Sequence, residues 1–443
     1  MFVLWERYSS DMKKTLNVLT ELKIPTLRFA IRWTLIILPV AVCIGSVVAF
    51  FLWLLTVAIH YRFGHTWLLY ALPLAGLAIH FIYKLFGKTS EKGNNLIIEE
   101  ILKKGEGVPL IMAPLIFITT ILTHLFGGSA GREGTAVQVG GSIAAQFGKW
   151  FSLGDDELKI LLTAGIAAGF GAVFGTPLTG AIFAMEVLVI GKIRYHALLP
   201  CLIASIVADL TVAAWGIHHT AYKIDIVPVS PYFLSEYLPV NLVLLVKVIL
   251  SSVVFGLASF CFATVVHWVK AFFNKVFTRA WLIPVVGGLI IIGLTFILGK
   301  PDYLSLGIDA EHAGAVTIPS AFQTGGADTF SWLWKTIYTA ITLGTGFKGG
   351  EVTPLFYIGA TLGNTLAGWL DAPVGLFAAI GFIAVFAGAT NTPLACTIMG
   401  IELFGSQYSM FFAVGCFTAY LFSGNAGIYS SQKIGIPKIF SRN

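Results

Sequence analysis

The sequence predicts an all-α, polytopic membrane protein built from two related helical halves. Three observations carry this. The 443 residues are 57% hydrophobic and only 11% charged, whereas a soluble domain carries roughly 25% charged residues. The apolar runs are of helical length, too long and too continuous for barrel strands. Pieces of the first half also recur in the second at a nearly constant distance. The length accommodates on the order of ten or more spans at ~20 residues each, and leaves no room for a large soluble domain.

Taken in order, residues 1–26 read as a partly amphipathic helix, with Leu16, Val18, Leu19 and Leu22 on one side and Lys13, Lys14 and Lys23 elsewhere. No short apolar core with a small-residue cleavage site follows, so a cleavable leader is not expected. A long apolar run from about Leu27 to His60, with Arg28 and Arg32 at its start, is long enough to cross with tilt. Trp67 to Phe86 returns. The next loop carries Lys84, Lys88, Lys92, Lys103 and Lys104, which marks it as cytoplasmic. Ala113 to Phe126 is again apolar. Pro228, Pro231 and Pro239 mark an outer loop that begins near residue 217. Leu238 to Val269 and Trp281 to Leu298 are further spans, separated by a basic segment with Lys270, Lys275 and Arg279. Residues 300–330 set Lys300 against Asp302, Asp309, Glu311 and Asp328, and that balance puts them outside. Both termini then fall on the cytoplasmic side.

The formal charge of +6 therefore reads as cytoplasmic loop charge, not as a nucleic-acid surface. Cys43, Cys201, Cys261, Cys396 and Cys416 all lie in apolar stretches without metal-like spacing, and read as packing residues. The histidines are scattered; only His218 and His219 are adjacent. No metal site, nucleotide loop or Ser/His/Asp order stands out, so no cofactor is expected.

The chemistry concentrates in Gly127-Gly-Ser-Ala-Gly-Arg-Glu-Gly134. Glycines let the backbone turn sharply and approach an ion. A turn that opens a helix offers free N–H groups and the positive end of the helix dipole, which together suit an anion. Glu133 is ionisable within an apolar context, a functional candidate by default; the plainer alternative is a solvated loop in which it pairs with Arg132. The second half repeats the arrangement. Glu133 in Gly-Arg-Glu and Glu351 in Gly-Gly-Glu stand 218 positions apart (351 − 133). Thr176-Pro-Leu and Thr392-Pro-Leu stand 216 apart (392 − 176), as do Glu186 and Glu402 (402 − 186). Glycine-interrupted apolar segments in matching places of two halves point to a transporter's central site.

At these residues the chain resembles the CLC family of anion channels and anion/proton antiporters, over essentially its whole transmembrane length. Gly128-Ser-Ala-Gly-Arg-Glu-Gly134 resembles the family segment whose glutamate is the external gate. Thr176-Pro-Leu and Thr392-Pro-Leu resemble its two mid-membrane helix starts, and Pro284-Val-Val-Gly-Gly288 resembles the start of its second half. The resemblance implies two inverted-topology repeats, a homodimer, and one ion pathway per subunit. Three departures indicate the branch. Asn94, in Gly93-Asn-Asn, stands where the family's chloride-binding serine would be. Gly350-Glu-Val-Thr-Pro354 carries an extra glutamate, Glu351. Val187 stands where proton-coupled members carry an inner glutamate. Together these resemble the fluoride/proton antiporter branch, and the family's pathway tyrosine maps onto Tyr429.

Fluoride is small and strongly hydrated, so its site must offer short, charge-assisted donors. Those expected are backbone N–H groups near Gly131, Glu133, Val352 and Thr353, the Asn94 amide and the Tyr429 hydroxyl. Asn94 also reads as a helix cap, and Tyr429 as an interfacial aromatic. Glu133 is the expected exchange element: as carboxylate it occupies the anion site, and once protonated it leaves. Glu351 is either a second pathway carboxylate or the permanent partner of Lys348, and Lys348 either that partner or a field that draws anions. Structural roles are favoured for Glu186 and Glu402. The resulting division is a cytoplasmic helix over 1–26, a first transmembrane repeat over 27–216, an outer loop over 217–237, a second repeat over 238–426, and a segment over 427–443 with Tyr429 and a short cytoplasmic tail. The expected function is export of fluoride against proton inflow across a bacterial-type inner membrane, with fluoride, protons, lipid and a second copy of the chain as partners. A chloride/proton antiporter and a passive anion channel are the alternatives within the fold, and an acid/base enzyme the alternative outside it.

Overall fold

The computed structural model describes residues 25–103, 105, 107–222, 224, 241–425 and 427–438, and within them fifteen α-helices. The expected helix over 1–26, most of the 217–237 loop, Lys104 and the end of the tail lie outside the described residues. In the first half the helices are α1 (Pro25–Gly64), α2 (Leu72–Phe86), α3 (Asn94–Leu102), α4 (Met112–Leu125), α5 (Glu133–Trp150), α6 (Asp155–Phe174), α7 (Pro177–Glu186) and α8 (Leu198–Ala214). In the second they are α9 (Leu242–Val276), α10 (Leu282–Leu298), α11 (Ser331–Gly344), α12 (Val352–Leu370), α13 (Val374–Thr390), α14 (Pro393–Phe404) and α15 (Ser409–Phe422).

Only five stretches among the described residues are long and apolar enough to cross a membrane: α1, α2 with its preceding turn, α6, α8 with its preceding turn, and α9. The chain length alone allows on the order of ten or more spans of ~20 residues. Much of the apolar sequence forms shorter helices, among them α4, α10, α13 and α14. Helices that start inside a membrane protein need their free backbone ends covered by protein, because lipid offers no partners. The basic stretch after α2 also differs from the expected loop. It contains α3, because Ile97, Ile98 and Ile101 bury one face of Asn94–Leu102.

The helix starts at Thr176 and Thr392 show how such ends are covered. Pro177 and Pro393 sit at the first helical position, where a missing N–H is harmless. Leu178 N (2.9 Å), Thr179 N (2.8 Å) and Thr179 Oγ1 (2.6 Å) all donate to the Glu402 carboxylate of α14. Leu394 N (3.1 Å) and Ala395 N (2.8 Å) donate to the Glu186 carboxylate of α7. Each half therefore caps the other's helix with the glutamate at the end of its own.

Close helix crossings repeat between the halves as well. A Cβ added at Gly140 of α5 would strike the Gly165 carbonyl of α6, and one at Gly359 of α12 would strike the Gly381 carbonyl of α13. Bare backbone lets these two pairs pack at contact distance around the centre. Past α7, Val189–Ile190 (β1) pairs in parallel with Lys433–Ile434 (β2), the sole sheet among the described residues. This ties the tail back to the first half. Gln432 strengthens the tie: its Nε2 donates to Val187 O (2.8 Å) and Thr390 O (2.7 Å), and its Oε1 accepts from Asn391 Nδ2 (2.9 Å).

Candidate functional site

The two glycine-rich turns meet. Gly131 N donates to Gly350 O at 2.6 Å, and Gly350 N donates to Gly131 O at 2.7 Å, an isolated antiparallel bridge between residues of opposite halves. Immediately beyond it the chain starts α5 at Glu133 and α12 at Val352. Two helix N-termini, each the positive end of a dipole, are thus brought to one point. The crossing demands bare backbone. A Cβ at Gly350 would lie 2.8 Å from Gly134 N and 3.2 Å from Glu133 N, and one at Gly131 would lie 2.7 Å from Glu133 Oε2.

Glu133 is 1% exposed, so it is no loop carboxylate held in solvent by Arg132. Its Oε2 accepts from Arg132 N at 3.0 Å and from Thr353 N at 3.1 Å. Its Oε1 accepts a short hydrogen bond from Thr353 Oγ1, and Arg132 Nε stands 3.9 Å away. The carboxylate of one half therefore lies on the helix start of the other, bound by donors that would suit a free anion. Val352 is buried at the first position of α12. Gly131, expected as an anion donor, has its N–H committed to Gly350 O. In this structure it holds the turn and offers its N–H to no anion.

Asn94 is the first residue of α3, and Gly93 before it makes no side-chain cap. The Asn94 Nδ2 would stand 3.0 Å from a Cβ at Gly134, so the amide lies against the first turn of α5. Its Oδ1 is enclosed without a hydrogen bond. Gln138, one turn further along α5, presents its amide to Gly93 and likewise has an enclosed, unpartnered Oε1. The sequence reading did not single Gln138 out. Its spacing of four from Gly134 is the signal that could have done so.

Tyr429 is buried at 7% exposure, which sets it apart from an interfacial aromatic. Its segment is tied to the helix that carries Asn94. Ser431 N donates to Asn95 Oδ1 at 3.0 Å, and Ser431 Oγ donates to Glu99 Oε1 at 2.8 Å. Glu351 is partly buried at the N-cap of α12, within electrostatic reach of Lys270 and Tyr429. Lys348 is not its ion-pair partner. The ammonium lies 4.1 Å from the centroid of the Tyr83 ring, a cation–π contact, and among the described residues no ion pair joins it to Glu351.

Behind the turn, buried polar groups brace it. His124 Nδ1 bonds Ser305 Oγ at 2.9 Å, and its Nε2 is 3.5 Å from Gly131 O. Lys335, fully buried, donates to Tyr303 O (3.1 Å) and Ser305 O (2.7 Å). Ser129 joins Thr339 and Thr342 of α11. Among the described residues no cluster of His, Cys, Asp and Glu has the arrangement of a metal site.

A family model described as voltage gated chloride channel matches residues 75–424. The chain is 46% identical over 414 residues to a chloride/fluoride channel protein of Pseudomonas syringae pv. tomato, covering 93% of this chain and 88% of that one. It is 25% identical over 334 residues to an H(+)/Cl(-) exchange transporter of Vibrio parahaemolyticus, covering 69% and 68% of the two. Among solved structures it superimposes on a CLC-type fluoride/proton antiporter with a TM-score of 0.83 and 34% identity, covering 91% of this chain and 98% of that one. A slow cyanobacterial Cl-/H+ antiporter shares the fold, with a TM-score of 0.73 and 19% identity.

Proposed function

The chain belongs to the voltage gated chloride channel family, and we propose that it is a fluoride/proton antiporter that exports fluoride from the cytoplasm as protons flow in. The observation that carries this reading is the seat of Glu133. A carboxylate bound by Thr353 N, Thr353 Oγ1 and Arg132 N stands in for a small anion at the paired helix starts. Protonation removes its charge and weakens those bonds, and the positive seat then favours an incoming anion. One group that carries either a proton or the space for an ion links the two flows.

Fluoride is favoured by the donor set. The Asn94 amide offers two N–H groups where a serine offers one hydroxyl, and it lies against the first turn of α5. Glu351 is read as a second pathway carboxylate, at the N-cap of α12. The relative from Pseudomonas syringae, named for chloride and fluoride, and the superimposed fluoride/proton antiporter support the same substrate. HF crosses lipid as a neutral acid and ionises inside, so an export route driven by the proton gradient meets a physical need. The protein is read as a homodimer in a bacterial-type inner membrane, with both termini cytoplasmic. Family membership speaks for a channel or transporter over an acid/base enzyme.

The test is a flux assay in proteoliposomes comparing fluoride with chloride, with a simultaneous proton readout. The reading expects fluoride to move far faster than chloride and to drive protons uphill. Equal rates for the two anions would favour a chloride/proton antiporter, and a reversal potential indifferent to pH would favour a passive channel.

A further inference from the structure

The adjacent histidines have no part in the scheme above, and the fold treats them differently. His218 is exposed. The His219 ring lies against Gly175, the C-cap of α6, and lines the same small cavity as Glu133, Arg132 and Thr353. That cavity leaves about 20 Å³ for the centres of water molecules, enough for one water. Phe174, Ile308, Phe356 and Leu403 give it apolar walls. His219 Nε2 is enclosed and stands 3.6 Å from Asp209 Oδ1 on α8, too far for a hydrogen bond, while the ring keeps 23% exposure. The ring therefore touches both the cavity over Glu133 and the solvent side.

The other groups facing this space cannot carry a proton at neutral pH. Arg132 is permanently charged. Tyr222 is a phenol, too weak an acid. Asp209 Oδ1 stands 3.6 Å from His219 Nε2. Asp309 follows the wall residue Ile308. The faces contributed by α6, α12, α13 and α14 bring no titratable side chain to the cavity. Imidazole is the side chain that both takes and gives a proton between about pH 5 and 8.

We propose that His219 is the outer proton relay of the exchange, a reading that rests on Glu133 being the exchange carboxylate. The imidazolium gives a proton to the intervening water as that water gives one to the Glu133 carboxylate. The neutral ring then takes a proton from outside, so each cycle moves one proton from solvent to Glu133 and leaves His219 unchanged.

The test measures fluoride-driven proton movement in liposomes over a series of external pH, for wild type, His219→Gln and His218→Gln. His219→Gln is expected to lose roughly tenfold or more in rate at neutral external pH, in line with the worth of a positioned proton-transfer group. It should approach wild type in acid, where hydronium reaches Glu133 directly, and regain rate when imidazole is added outside. His218→Gln should match wild type. If His219→Gln does not fold, His219→Asn serves with the same readouts. A His219 variant with wild-type rates and pH profile, or a slow variant that imidazole does not restore, overturns the relay. Wild type that shows no fluoride-driven proton movement overturns the antiporter reading itself, and the relay with it.

Discussion

Removing either of the reciprocal caps should cost stability. Glu402→Ala takes the acceptor from three donors at the start of α7: Leu178 N, Thr179 N and Thr179 Oγ1. Glu186→Ala takes it from two at the start of α14, Leu394 N and Ala395 N. A donor left unsatisfied in protein costs about 1–3 kcal/mol, and loss of a helix cap costs about 0.5–2 kcal/mol. The Thr179 hydroxyl can rotate to another acceptor, which reduces its share. Leu178 N is exposed while Ala395 N is buried, so each substitution is expected to destabilise by about 1–3 kcal/mol. Glutamine at either place keeps an acceptor oxygen and should recover part of the loss. Thermal unfolding in detergent, on wild type and the four variants, reads this directly. Fluoride efflux per folded molecule should stay near wild type, because neither carboxylate touches the Glu133 seat. Equal stability of Glu402→Ala and wild type would refute the capping argument. So would an efflux loss in Glu186→Gln without a stability loss, which would make Glu186 part of the ion path.

Three further outcomes follow from the site and its surroundings. Asn94→Ser should fold normally, since Asn94 caps no helix, and should weaken the preference for fluoride over chloride; an unchanged flux ratio would remove Asn94 from the selectivity argument. Glu351→Gln should keep wild-type thermal stability, because Lys348 rests on Tyr83, yet transport fluoride poorly; a destabilised variant with wild-type efflux per molecule would make Glu351 a scaffold residue. His312 is held above its ordinary value of 6.5 by its hydrogen bond to Ala313 O and by Asp302 Oδ1 at 2.8 Å. A raised folded-state value means stability that is full below about 6.5 and lost as pH rises through the raised value. Proteolysis of the 300–316 segment should therefore accelerate from acid to alkaline pH, and His312→Ala should flatten that dependence.

The glycine turns and Thr-Pro helix starts were legible in the sequence because they are local backbone devices, and their repetition at a nearly constant offset gave the two-part plan. Side-chain partners across the halves were not. The acceptor for Leu178 N is Glu402, 224 positions away, and only the shared 216 offset of the Thr-Pro and Glu pairs hinted at the exchange. Lys348 stands three residues before Glu351, but its ammonium lies over the Tyr83 ring of α2. The basic stretch before Leu102 read as loop because its lysines dominate the local charge, while three isoleucines decide the helix. An apolar run does not reveal how deep its helix begins, which is why the shorter helices were not told apart from full spans. The N–H of Gly131 pointed to an anion in sequence terms; pairing with Gly350 became visible only once both turns stood side by side.

The central claim is that the Glu133 carboxylate, seated on the opposite half's helix start, is the group that exchanges proton for anion. Glu133→Gln holds that side chain in its neutral form, with nearly the same shape. The measurement is simultaneous fluoride efflux and proton uptake in liposomes carrying an outward fluoride gradient. The account predicts that the variant moves no protons uphill, whatever passive fluoride leak remains. Uphill proton movement by Glu133→Gln at a rate comparable to wild type would contradict it.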